Sequence, residues 1–160
     1  MSYKFIEGNL LFLALLSGFY GGTGFFVAIG GNPAIRLMSD RTFAEYWQHA
    51  DHFMAYRMRI FGPLLLLTTI LVLILLIKER SVASAWCVAI ALIILITDVA
   101  FTFSINHPLN QLIQSWDLNN LPSNVQEIKN KVLNAFDMRK LFMMSSFAFV
   151  LLSLFFYRKN

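Results

Sequence analysis

Four long stretches of this chain carry no charged residue, and its other features are arranged around them. They run from Gly8 to Ile35, Ile60 to Ile77, Ser81 to Thr97 and Leu141 to Tyr157, the third continuing with polar interruptions to Asn106. A helix needs roughly 20 mostly apolar residues to cross a bilayer. The pattern therefore predicts four transmembrane helices, near residues 9–29, 58–77, 83–105 and 138–157. The first stretch is long and has no convincing small-x-small cleavage site, so it is expected to be retained rather than removed as a signal.

Helical patterning continues outside the spans. Phe43 to Phe61 reads as an amphipathic helix, with Asp40 as its expected N-cap and a run into the second span. Gly62-Pro63 is expected to kink it near the membrane surface. Gly30-Gly31-Asn32-Pro33 is expected to stop the first helix. In the other long loop, Ser123 and Gln126 form an S-x-x-Q capping box. Val125, Ile128, Val132, Leu133 and Phe136 follow at helical spacing and lead into the fourth span. The expected fold is an all-α, integral membrane four-helix bundle. It forms a single membrane domain over residues 1–160, with two helical extramembrane loops on one side.

Composition agrees. Of the 160 residues, 58% are hydrophobic and only 14% charged, against about 25% charged in soluble domains. The mean hydropathy is +0.62, which leaves no room for a separate soluble domain. Cys87 is the only cysteine and falls mid-span, where a small core residue is expected. That excludes the four-helix quinone and epoxide reductases, which work through a Cys-x-x-Cys pair. The net charge of +4 comes from dispersed residues that read as interfacial anchors, so no nucleic-acid partner is expected. Lys4, Lys78, Arg80, Arg158 and Lys159 lie on the side of the termini. Arg36, Arg41, Arg57, Arg59, Lys129, Lys131, Arg139 and Lys140 lie on the side of the long loops. The larger count would put the long loops inside, whereas the tiny connection Lys78-Glu79-Arg80 is typical of a cytoplasmic turn. The orientation expected here has cytoplasmic termini, in a bacterial plasma membrane.

Polar residues inside the spans collect in the half nearer the long loops: Tyr20, Thr23, Asp98, Thr102, Ser145 and Ser146. Polar groups in hydrocarbon are costly unless they face a cavity or one another. The asymmetry suggests a cavity open on the long-loop side and closed at the other end, which argues against a transport path. Asp98, Thr102 and Asn106 fall at i, i+4 and i+8 on one helix face, a stripe roughly 12 Å deep. Asp98 reads either as a general base or as a structural ion pair with an arginine such as Arg57 or Arg139. Glu45, His49, His52 and Tyr56 share another helix face. Imidazoles so spaced can act as acid and base, bind substrate or a metal, or simply sit on a solvated surface. Asn106 and Asn110 flank Pro108. They can hold a carbonyl or phenol, or tie the loop to the bundle, and His107 can serve as an N-cap. Gly18, Gly21, Gly22 and Gly24 in the first span favour close helix packing or leave room for a ligand.

The pattern as a whole resembles a small family of four-span membrane proteins that includes the anthrone oxygenases. Three pieces carry the resemblance. One is the glycine-rich first span from Gly18 to Pro33. The second is the helix around Trp47-Gln48-His49 leading to Arg57 and Pro63. The third is Asn106-x-Pro108-x-Asn110 with Trp116, followed by a basic helix start near Arg139. His107 departs from the pattern, which implies a small apolar residue at that slot. The resemblance implies a four-helix bundle that oxidises an anthrone to an anthraquinone with molecular oxygen.

On that reading His52, His49 or Asp98 removes the acidic proton. Asn106, Asn110, Arg57, Trp116 and Thr102 bind the substrate. The expected partners are an apolar small molecule, oxygen and the lipid bilayer, with a homo-oligomer left open. The reaction needs either no cofactor or a haem or iron held through His49, His52 or His107. The rival reading is a non-enzymatic bundle that binds haem, quinone or lipid, or assists a membrane complex.

Overall fold

The computed structural model describes residues 3–159, except the side chain of Lys159, so that residue's role as an anchor lies outside the described residues. Helix α1 spans Tyr3–Leu37, α2 Asp40–Lys78, α3 Val82–Gln114 and α4 Val125–Lys159. All four are long and apolar enough to cross a membrane, and no strand occurs among the described residues. The protein is an all-α four-helix membrane bundle. Helix α4 is its spine, packing along both α1 and α3, while α2 leans on α1 and α3 and meets α4 mainly in the part outside the membrane. The 39 residues of α2 rise about 58 Å at 1.5 Å each, nearly twice the roughly 30 Å of hydrocarbon. Much of both long loops is therefore helix standing outside the bilayer.

Several helix ends differ from expectation. The first helix does not stop at Gly30-Gly31-Asn32-Pro33. It widens into a π turn at Val27–Gly31, where the Asn32 N–H reaches back to the Val27 carbonyl, and then resumes to Leu37. Pro33 falls in the first turn of the resumed helix, where a missing N–H is no loss. The same device recurs in α3: a π turn at Thr102–Asn106 is followed directly by His107 and Pro108. As expected, the helix of the first long loop runs into the second span, so that α2 continues through Pro63. Its N-cap is Ser39, whose Oγ accepts from the Thr42 N–H at 3.3 Å, so Asp40 is the first helical residue rather than the cap. Asp40 instead accepts a hydrogen bond from Gln126. The expected capping box of Ser123 and Gln126 does not frame the helix either: α4 begins at Val125 and its first backbone bond runs from the Ile128 N–H to the Asn124 carbonyl, so Asn124 rather than Ser123 stands at the N-cap.

Two apolar cores stack along the bundle. The membrane core includes Leu10, Leu13, Val72, Leu76, Val88 and Val150. A second core, outside the bilayer, joins Phe43 and Trp47 of α2, Ile113 of α3 and Val125, Val132 and Leu133 of α4. Fully burying a side chain such as Phe43 contributes about 1.5–3 kcal/mol, so the long-loop side is a folded cap. Inside the membrane, Gly18, Gly21 and Gly24 face α4. A Cβ on Gly21 would lie 2.8 Å from Cβ of Phe147, whereas one on Gly22 would meet nothing within 4 Å. At the opposite end Ser84 and Ser153 satisfy each other across the α3–α4 seam, each hydroxyl within hydrogen-bond distance of the other residue's carbonyl.

Candidate functional site

Helix α3 presents a polar track at four-residue steps: Asp98, Thr102, Asn106, Asn110 and Gln114. It begins deep in the bundle and ends in the extramembrane cap. At the bottom Asp98 is only 1% exposed. Arg139 of α4 grips it with two hydrogen bonds, Nε to Oδ1 at 2.9 Å and a terminal nitrogen to Oδ2 at 3.1 Å. Tyr20 of α1 donates its hydroxyl to Oδ2. The partner of Asp98 is therefore Arg139. Arg57 is exposed, bonds the carbonyl of Phe53 and lies over that residue's ring. The Arg139 guanidinium also covers the face of Phe136, 5.3 Å from its centroid. Phe136 in turn meets Trp47 edge to face. Three helices thus converge on one neutral ion pair.

A second polar knot ties α1 to α4 nearer the surface. Asp137 accepts from Asn32 at 3.0 Å, Arg36 at 2.9 Å and Lys140 at 2.8 Å. Asn32 also donates to the Leu133 carbonyl at 2.9 Å.

The upper end of the track joins α2. The Trp47 indole donates to Oδ1 of Asn110 at 3.1 Å, and Asn110 donates its own N–H to Asp51. Gln114 donates to the Gln48 carbonyl at 2.9 Å and to Asp51 at 3.3 Å. Gln48 answers with bonds to the carbonyls of Ile113 and Trp116. Trp116 is half-buried and packs near Phe43 in the cap. Asn110 and Trp116 are thus fastened into the α2–α3 contact.

Beside this contact lies an open depression of about 310 Å³ lined by Asp51, His52, Ala55, Tyr56, Arg59 and Gln114. It sits outside the apolar span that begins at Ile60. Burial pushes the Asp51 carboxyl above its usual range, while bonds from Gln114 and Asn110 and nearby His107 and His52 pull it down. A second depression, about 490 Å³, borders the loop after α3 and includes Trp116 and Asp117. Both lie on the long-loop side, and neither is lined by Asp98, Thr102 or Asn106.

The three histidines do not converge. His49, His52 and His107 are all exposed. His52 packs beside Phe53, and His107 lies near Phe103. No group of three or more His, Cys, Asp or Glu among the described residues could hold a metal ion, so the histidines do not fit a three-ligand iron centre. The structure also brings forward residues that the sequence reading passed over. Asp51, Arg59 and Gln114 line the depression beside His52 and Tyr56, and Lys129 is buried with its ammonium on the Met38 carbonyl at 2.6 Å. The signal for Gln114 was present, because it extends the four-residue steps of the α3 stripe. Arg59 lies seven positions beyond His52, on the same helix face.

A family model described as anthrone oxygenase matches residues 51–135, just over half of the chain. The match begins at Asp51 and includes the α3 track and the Asn106-x-Pro108-x-Asn110 motif, but not Tyr20 or Arg139. No curated protein and no solved structure shows a significant match to the chain. With the four spanning helices and this match together, the chain belongs to the anthrone oxygenase family.

Proposed function

We propose that the protein is a membrane oxygenase that acts on a small apolar aromatic ketone at the depression beside Asp51 and His52. The observation that carries this reading is the grouping of a base, an acid and a cation around one open depression inside the family-matched segment. Its volume falls at the lower end of small-molecule sites. The site lies at the membrane surface, where an apolar substrate arrives from the lipid.

The chemistry follows from the side chains. An anthrone has a methylene made acidic by two flanking rings and a carbonyl. His52, exposed at the rim of the depression, removes one methylene proton. The Asp51 carboxylate stabilises the imidazolium, and Arg59 holds the enolate oxygen. The carbanion adds molecular oxygen to give a peroxide at the same carbon, which takes the proton back from His52. Loss of the second hydrogen with hydroxide leaves the new carbonyl. In sum a CH₂ group and O₂ become C=O and water. No step requires a bound metal, and His49 and Asp98 are the other candidate bases. The membrane is proposed to be a bacterial plasma membrane, with the termini in the cytoplasm.

The test is oxygen uptake and quinone formation by purified protein given an anthrone. His52→Ala should lower the rate by about 10²–10⁴-fold, the usual worth of a general base, while His49→Ala leaves it within a few-fold. Full activity in His52→Ala would rule out this base. A folded wild-type protein that never converts an anthrone would favour the non-enzymatic reading.

A further inference from the structure

Asn106 combines full burial with a complete lack of partners. It is 1% exposed, and neither the nitrogen nor the oxygen of its amide has a hydrogen-bond partner among the described residues. One turn earlier, Thr102 buries its hydroxyl in the same condition. The two residues are the first and last of the π turn in α3. Unpaired polar groups within a membrane bundle are costly, and π turns are frequent at functional sites.

Comparison within the molecule sharpens the anomaly. A helical threonine can satisfy its hydroxyl on the carbonyl four residues back. Thr23, Thr68, Thr69 and Thr97 all do so, at 2.7–3.1 Å. Thr102 does not. Asn32 follows the other π turn and is also buried, yet its amide is taken up by Leu133 and Asp137. The π turn of α3 therefore differs from its counterpart in leaving an amide nitrogen, an amide oxygen and a hydroxyl unused inside the protein.

We infer that Asn106 and Thr102 form a buried binding point for a neutral hydroxyl group, supplied by a water molecule or by a hydroxyl on an apolar guest. The amide offers one donor and one acceptor side by side, and a hydroxyl can answer both. A charged ligand does not suit the position, because the nearest charge on the track, Asp98, is already matched by Arg139. Asn110, one turn above, is fastened to Asp51 at the edge of the open depression. The point thus lies about one helical turn inward from solvent-accessible groups. The inference does not depend on the oxygenase reading.

Binding of 1-naphthol to detergent-solubilised protein, with naphthalene as the control lacking a hydroxyl, separates the two sources. If a guest hydroxyl is bound, Asn106→Leu weakens 1-naphthol by about tenfold or more and leaves naphthalene unchanged. If water is bound, neither ligand discriminates, but the Asn106 side-chain amide shows a magnetisation-transfer peak to a long-lived water, and Thr102→Val abolishes it. Thr102→Val keeps the side-chain shape and carries both comparisons if Asn106→Leu does not fold. Absence of both the naphthol difference and the water peak overturns the proposal.

Discussion

At the scale of single residues, the contact that most constrains the bundle is Asp98 with Arg139 and Tyr20. A carboxylate in hydrocarbon is tolerated only when paired and hydrogen-bonded. Here three donors from two other helices occupy it. Arg139→Leu alone leaves that charge without its cation and should cost about 3–5 kcal/mol. Replacing the whole cluster, as Asp98→Leu with Arg139→Met and Tyr20→Phe, should recover most of the loss, since no buried polar group is then orphaned. Unfolding of detergent-solubilised variants by titrated denaturing detergent measures both. Equal destabilisation of the single and triple variants would contradict a purely structural pair and favour Asp98 as a reacting group. The sequence alone left Asp98 either a general base or one half of an ion pair. It left Arg57 and Arg139 open, because the choice depends on how α4 rotates against α3, which no local pattern encodes.

Among the helices, apolar runs made the four spans legible, since hydrocarbon leaves a chain few alternatives to helix. Helix punctuation was less legible. Gly30-Gly31-Asn32-Pro33 has the composition of a stop, yet α1 continues, because one π turn rearranges the backbone bonds ahead of the proline. The glycines of α1 divide into two kinds that spacing could not separate. Gly21 is pressed against Phe147, whereas Gly22 faces open space. Gly21→Ala should therefore destabilise by about 1–3 kcal/mol through overpacking. Gly22→Ala should be neutral or gain up to about 1 kcal/mol of helix propensity. The same unfolding titration reads both, and similar losses at the two positions would mean that α1 packs on α4 through a different face.

For the molecule as a whole, the extramembrane cap changes how its charges orient it. Counting cations by side favours long loops inside, but position and pairing alter that count. On the long-loop side Arg36 and Lys140 are held by Asp137, Arg139 by Asp98 and Lys131 by Glu127. Lys129 is buried against Met38, and Arg41 stands 16 residues, about 24 Å of helix, beyond Arg57. Only Arg57 and Arg59 remain near the surface without a carboxylate partner among the described residues. On the terminal side Arg158 is paired with Glu7, and Lys4, Lys78 and Arg80 remain, the last two at a three-residue turn tight against the bilayer. Cations close to span ends set orientation, so the termini should be cytoplasmic and the cap external. A single cysteine placed at Ser123 in a Cys87→Ser background should react in intact cells with a membrane-impermeant maleimide. One placed at Glu79 should react only after the membrane is permeabilised. The reverse pattern would turn the protein over and put the His52 depression on the cytoplasmic face, where an anthrone made inside the cell would reach it without crossing the membrane.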